Sequence, residues 1–403
     1  MKEYDCKYLI AFLVLWMTHC HSLTPTQDDF PVDNVIHLSD AVSEIRPVKL
    51  SEIVDTIIFL PLETDGNLIG NRTQIIFADR HVFAGRMVFN LKGKYVCDIG
   101  RLGQGPGEGY VSRVVEKKNK YYSFNGQKLV AYDSLGKYAG KERFIMEWRG
   151  LDFANAGSNI VVGAGDTVFF LNTNFDLIKK RRVVPPWSEK TTTYNVDVVL
   201  RLFSQNTDSV LFYNYINDTI YRVLDDDFSP RWIVDLREED KVPLKHLLGS
   251  EEDRLYTGSQ HYTANDLEGW DFLRETDNKI RSFAVYETEH KLIICWLKLR
   301  EFWRLRNLQP SFLQVAWYDK KTGETVAVDG EGFIDDLSSL GTFYPLCGTH
   351  EDYMITYQWP FDLRERVNSL ESSGQWVDKN LKELLSSVED EDNPILIMAH
   401  LKQ

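Results

Sequence analysis

An all-β fold is predicted by three observations. Hydrophobic residues make up 43% of the 403 residues and aromatics 13%, with 22 Phe, 19 Tyr and 10 Trp, a composition of aromatic-packed sheets and not of a disordered chain. A strand-turn-strand unit recurs along most of the length. One strong strand stands without a neighbour near each end, Ile53 to Leu62 early and Asn393 to Leu401 late. Together they predict a six-bladed β-propeller closed by an N-terminal strand that completes the last blade, with short helical insertions.

The recurring hairpins are FNLKGKYVCDI around Asn90, VAYDSLGKYAG around Asp133, FFLNTNFDLIK around Asn172, IYRVLDDDFSPRWIV around Asp226 and VAWYDKKTGETVAV around Asp319. Each places Asn, Asp or Gly between β-favouring runs, which is hairpin chemistry. Their turns lie roughly 40, 40, 50 and 90 residues apart, the size of four-stranded blades carrying loop insertions. A second strand pair precedes each, as in RTQIIFADRHVFAG, VVEKKNKYYSFNG, SNIVVGAGDTVFF and TDSVLFYNYINDT, and IRSFAVYETEHKLIICWLKLREFWRL opens the fifth unit. FYPLCGTHEDYMITYQ supplies a further pair. Ile53 to Leu60, with Pro61 confining it to an edge, then completes the last blade beside Asn393 to Leu401. Closing the ring this way removes exposed sheet edges.

Between the first two hairpins Gly100, Gly103, Gly105, Gly107 and Gly109 surround Pro106. A phosphate cradle needs GxxxxGK[ST], or a GxGxxG that opens a helix, and neither is present. With β runs on both flanks, the segment reads as a sharp crossing from one packed unit to the next.

Two stretches break the β pattern. Residues 237–276 are charged and partly helical in pattern, and 361–390 contain WVDKNLKELLSSV, where Val377, Leu381, Leu384, Leu385 and Val388 share one helix face. Both are expected to be insertions on the propeller, which is assigned to 51–403.

The N-terminus is read apart from the fold. Tyr8 to Met17 is an apolar run too short to span a bilayer, with Lys2 and Lys7 before it, so 1–19 reads as a signal peptide. Cys20 follows where bacterial lipoproteins carry their lipid-modified cysteine, and 20–50 reads as an anchor tether and polar lead-in. The expected location is exported and outer-membrane-anchored, periplasmic or at the cell surface, with the membrane touched through the lipid alone. Cys97, Cys295 and Cys347 show no CxxC pair or zinc spacing and read as buried thiols, with one disulfide at most.

Several motifs, in order, give this chain a resemblance. FLPLET at Phe59 to Thr64, IGRLGQGPGEG at Ile99 to Gly109, WYDKKTGET at Trp317 to Thr325, FIDDL and FYPL between Phe333 and Leu346, and the ending DNPILIMAHLK are similar to the six-bladed β-propeller lipoprotein family of Bacteroides-type bacteria. The crossing followed by the Asp133 hairpin also resembles an NHL repeat. The resemblance implies an exported, lipid-anchored propeller and carries no catalytic residue over.

Chemistry is sparse in the sequence. Acidic residues outnumber basic ones 60 to 46, for a net charge of −14, and no basic stripe longer than Lys179 to Arg182 is present, which disfavours nucleic acid. There is no HExxH, GxSxG or paired His/Cys set, so no catalytic residue, metal or cofactor is assigned. Asp225 to Asp227 and Glu389 to Asp392 lack the alternating ligand order of a calcium loop and read as solvated turns. Candidate ligand contacts are Trp303, Arg304 and Arg306, where an aromatic face beside guanidinium groups suits sugar rings and acidic ligands, with Trp270 and Trp359 near the two insertions. The expected function is a non-catalytic propeller of the cell envelope, binding a carbohydrate or an envelope protein. The alternative is a propeller enzyme acting on polysaccharide, a glycoside hydrolase or lyase.

Overall fold

Six small antiparallel sheets follow one another along the chain and stand in a ring. The computed structural model describes residues 34–403 except 71–72, 112, 125–127, 145–151, 165–166, 183–203, 207–208, 215–217, 244–274, 276–277 and 299–313. Val35–His37 (β1), helices Leu38–Ser43 (α1) and Leu50–Ile53 (α2), and Val54–Pro61 (β2) precede the first blade. Blade 1 is Ile75–Phe77 (β3), His81–Ala84 (β4), Met87–Asn90 (β5) and Tyr95–Asp98 (β6). Blade 2 is Arg113–Lys117 (β7), Lys120–Phe124 (β8), Lys128–Tyr132 (β9) and Tyr138–Phe144 (β10). Blade 3 is Asp152–Ala156 (β11), Asn159–Ala164 (β12), Thr167–Leu171 (β13) and Leu177–Arg182 (β14). Blade 4 is Ser204–Asn206 (β15), Ser209–Asn214 (β16), Thr219–Leu224 (β17) and Asp227–Asp235 (β18). Blade 5 is Ile280–Glu287 (β19), Lys291–Lys298 (β20), Gln314–Asp319 (β21) and Thr325–Ala327 (β22), followed by the ribbon Phe333–Asp335 (β23) and Gly341–Phe343 (β24). Blade 6 is Gly348–His350 (β25), Tyr353–Gln358 (β26) and, after helices Pro360–Ser372 (α3) and Lys379–Leu385 (α4), Ile395–Leu401 (β27).

The ring closes as the two orphan strands predict. β2 pairs antiparallel with β27, Phe59 opposite Ile397 and Ile57 opposite Ala399, and so supplies the outer strand of blade 6. Inner strands of successive blades touch, β7 with β11, β15 with β19 and β19 with β25. β15 also reaches β25, two blades on, so the ring is narrow at its axis.

Each sheet packs a neighbour on both faces, so its strands bury side chains on both sides and read as continuous apolar runs. β20 is buried from Lys291 through Leu297 for this reason. The apolar core divides into six clusters, one in each gap between blades. Ile294 and Trp296 face blade 4 beside Trp232, whereas Ile293 and Cys295 face blade 6 beside Ile397 and Ala399.

The hairpins around Asn90, Asp133, Asn172 and Asp319 share one device. The side-chain oxygen of the first residue accepts two backbone N–H groups of its own turn, those of Leu135 and Lys137 (both 2.9 Å) at Asp133, and of Lys92 and Lys94 (2.9 and 3.1 Å) at Asn90. Asn172 and Asp319 do the same. This local bond makes Asn or Asp the recurrent first turn residue. The glycine-rich crossing leads from β6 to β7 and lies on blade 2, where Tyr132 donates to the Gly107 carbonyl (3.0 Å) and Lys128 to that of Gly105 (3.2 Å).

Three features differ from the sequence reading. SNIVVGAGDTVFF and TDSVLFYNYINDT are not first pairs of their blades, because the innermost strands β11 and β15 lie one strand earlier, in segments of weak strand propensity held by pairings such as Phe153 with Val162. The 361–390 insertion holds two helices, not one, the first opened by Pro360 at its N-terminus with Leu363, Val367 and Leu370 buried. The lead-in over 20–50 is folded from Val35 onward. β1 adds to the edge of β18 in parallel, Ile36 and Leu38 are fully buried, and Arg46 and Lys49 bridge to Val328 and Ile334. This segment covers outer edges of blades 4 and 5 before β2 completes blade 6.

Candidate functional site

Antiparallel order within each blade sends the turns between first and second strands to one mouth of the ring, and those between second and third strands to the other. The two mouths differ in chemistry. At the first, the turns are short, and each pair of neighbouring blades is tied on that side. Glu116 of β7, buried, accepts from Arg80 and lies 2.9 Å from His81 Nδ1, joining blades 1 and 2. Lys117 Nζ donates to the carbonyls of Gly157 (2.7 Å) and Asn159 (2.9 Å) in blade 3, and burial pulls its ammonium down to about 8. Ser158 N and Oγ donate to Asp225 of blade 4 (2.7 and 2.5 Å). Buried Glu287 of blade 5 pairs with Arg231 of blade 4 (3.2 Å) and with Lys320 (2.7 Å). Glu289 N donates to Asp352 of blade 6 (3.2 Å), and the rings of His350 and Phe77 join blade 6 to blade 1 at 5.5 Å.

This mouth is therefore fastened, with its buried acids neutralised by cations. The acidic turns weighed as calcium loops are occupied likewise. Asp225 is held by Ser158, Asp226 pairs with Lys179, and Asp390 takes the Arg364 guanidinium at 2.6 Å.

The strand ends that flank the long connections lie at the opposite mouth. Residues 299–313 and 359–394 join second to third strands in blades 5 and 6, while 183–203 and 236–279 cross between blades. Trp270, Trp303, Arg304 and Arg306 lie outside the described residues, as does Cys20. The described strands that flank them, β19 at its start and β20 at its end, meet this mouth. Trp359 stands at the N-terminal cap of α3, where its carbonyl accepts from Leu363 N (3.0 Å) and its ring packs, partly buried, on the core between blades 6 and 1.

The helical insertion is held firmly. Arg364 donates to the carbonyls of Leu385 and Val388 (both 2.9 Å), and Leu363, Val367, Leu381 and Leu385 join the core between blades 5 and 6. It exposes two large aromatics that sequence reasoning missed, Phe361 at 49% and Trp376 at 59%. The only local signal was their position beside helix starts.

Asp218, beside the turn from β16 to β17, is the most perturbed carboxyl on this side. Burial pushes it up to about 6, against the pull of Lys241 Nζ at 3.6 Å. An unfolded carboxyl titrates near 3.8, so between 3.8 and about 6 the folded chain keeps a proton that the unfolded chain has lost. Stability therefore falls as pH rises through that window, and charged Asp218 costs stability above it. Asp218→Asn is expected to stabilise the fold at neutral pH by on the order of 2 kcal/mol and to be neutral in acid below the unfolded value. Asn also suits the backbone φ of +50° there. Urea midpoints across pH check this, and a gain that persists in acid contradicts it.

No cysteine among the described residues is paired. Burial raises Cys97 to about 11, and Cys295 and Cys347 to about 12, which leaves all three poor nucleophiles at neutral pH. Among the described residues no helix is long and apolar enough to cross a membrane.

A family model described as a domain of unknown function, DUF4934, matches residues 33–400. Among curated proteins there is no match. The crystal structure of a Bacteroides fragilis protein assigned as exported aligns over 92% of this chain and 100% of its own, with 22% identity and a TM-score of 0.62, which shows the shared fold. BamB from Moraxella catarrhalis covers 68% of this chain and 66% of its own, at 15% identity and a TM-score of 0.27. The extracellular domain of a one-component system from B. thetaiotaomicron covers 72% of this chain and 32% of its own, at 10% identity and a TM-score of 0.32.

Proposed function

The chain belongs to the DUF4934 family, a domain of unknown function, and from that premise we propose that it is a non-catalytic binding protein of the bacterial cell envelope. It is lipid-anchored through Cys20 and takes a carbohydrate at the mouth where the long connections depart. The observation that carries this reading is the asymmetry of the ring. One mouth is tied blade to blade by hydrogen bonds, ion pairs and a ring contact, and the other, where the strands flanking the long connections end, presents Phe361 and Trp376. Exposed aromatic faces on a rigid helical support suit sugar rings, which stack on them at low entropic cost.

The test is a screen of residues 25–403 against host and plant glycans, read by thermal shift and by product release. A saturable shift without product supports the binder, and Trp376→Ala is then expected to weaken binding by about tenfold. Product release contradicts it. A propeller enzyme acting on polysaccharide is the second reading, favoured by Asp218, whose protonation near pH 6 suits a general acid. Under that reading Asp218→Asn abolishes product release while leaving the thermal shift intact.

A further inference from the structure

We propose that Glu289, His290 and Asp352 form a zinc-binding site that staples blade 5 to blade 6 at the fastened mouth. Glu289 and His290 lie in the turn between β19 and β20, and Asp352 lies in the turn between β25 and β26. Each offers a ligand atom, and the three atoms fall within 4.8 Å of one another although the residues come from different blades. Glu289 is exposed and the other two are half-buried, so an ion has access.

The backbone of both turns is fixed independently of the side chains. The His290 carbonyl accepts from Lys320 N (3.0 Å), Thr288 N donates to the Lys291 carbonyl (2.8 Å), and the Asp352 carbonyl accepts from Leu401 N (2.7 Å). The donors therefore sit on anchored turns of two blades and need little reorganisation to meet an ion.

Charge matching points to a cation at this place. Elsewhere on this side, Glu116 meets Arg80, Glu287 meets Arg231 and Lys320, Asp319 meets Lys291, and Asp226 meets Lys179. Among the described residues the Glu289 and Asp352 carboxylates meet no Lys or Arg, and the Glu289 N–H donates to Asp352 across the gap between blades 5 and 6. Two carboxylates and an imidazole nitrogen brought this close aim three lone pairs at one point, and a divalent ion placed there answers both negative charges.

The donor set selects the ion. One imidazole nitrogen with two carboxylate oxygens suits Zn2+, whereas Ca2+ takes six to eight oxygens and Mg2+ holds its waters in an octahedral shell. Three protein ligands leave a fourth tetrahedral position for water.

The experiment titrates the metal-stripped chain, residues 25–403, with Zn2+, Ca2+ and Mg2+, read by thermal shift, and with Co2+, read by visible absorption. One Zn2+ per chain is expected to raise the melting temperature, and Co2+ to give a tetrahedral absorption band. His290→Ala abolishes both, and Glu289→Gln and Asp352→Asn weaken Zn2+ by at least the ~10–100-fold that losing even a supporting partner costs. All three are turn residues, so the metal-free variants should melt with the wild type, which separates loss of the site from loss of the fold. No Zn2+ response, an unchanged response in His290→Ala, or Ca2+ binding as tight as Zn2+ overturns the proposal.

Discussion

Gly136→Ala is expected to destabilise the ring by about 3 kcal/mol or more, whereas Gly323→Ala, just before the return strand in the one-residue-longer turn of blade 5, costs about 1 kcal/mol. Both glycines stand at a left-handed backbone, with φ of +73° and +74°. They differ in what surrounds them. A Cβ on Gly136 falls 2.0 Å from the Asp98 carbonyl oxygen of the neighbouring blade, and the Gly136 carbonyl itself accepts from Gly100 N at 2.8 Å. Side-chain motion cannot relieve a clash with backbone, so the joint between blades 1 and 2 must open. Around Gly323 the nearest atom is the Tyr318 hydroxyl at 4.0 Å, which leaves only the conformational strain. Gly93, whose Cβ would meet the Pro61 carbonyl oxygen at 2.2 Å, should behave like Gly136. Urea midpoints of the three variants decide the matter, and equal losses at Gly136 and Gly323 contradict the packing account.

Trp296→Ala is expected to cost about 3–5 kcal/mol, the largest single loss in the core. Trp296 is fully buried near the end of β20, in the gap between blades 4 and 5, and no side chain can collapse into its volume from a sheet that is filled on both faces. Closure adds a second expectation. In an open repeat array a weakened interface melts locally, but in a ring fastened by β2 on β27 the loss is shared by all six gaps. The variant should melt in one transition at a lowered temperature. An early partial transition, with the remainder melting as the wild type, would contradict closure.

The parts of this fold that were legible in the sequence are those with local causes. Asn90, Asp133, Asn172 and Asp319 mark their hairpins because each side chain bonds its own turn. The closing strand was legible because an apolar run with no partner at one end requires one at the other. What was missed depends on distant contacts. Val35 pairs with Ile233 across about half the length of the chain, and nothing near VIHLSD announces a parallel partner. The strand Asp152–Ala156 carries two alanines and an asparagine and is a strand through its place beside β12. Helix α3 was obscured because Arg364, Glu365 and Arg366 interrupt its buried stripe of Leu363, Val367 and Leu370. Of the candidate contacts, Trp359 turned out to pack on a core while Phe361, two residues on, is exposed. A single sequence does not distinguish an aromatic that fills a gap from one that faces solvent. Glu289, His290 and Asp352 meet only through the ring, so their spacing along the chain carries no ligand signature.

The measurement that bears most directly on the central claim, a ring with one fastened mouth and one binding mouth, is hydrogen exchange of residues 25–403 with and without a glycan from the screen. Protection is expected in α3, in the Trp376 segment before α4 and along the connections 236–279 and 299–313, with the turns at 78–80, 118–119 and 351–352 unchanged. Protection confined to those turns would place the ligand at the fastened mouth and contradict the account.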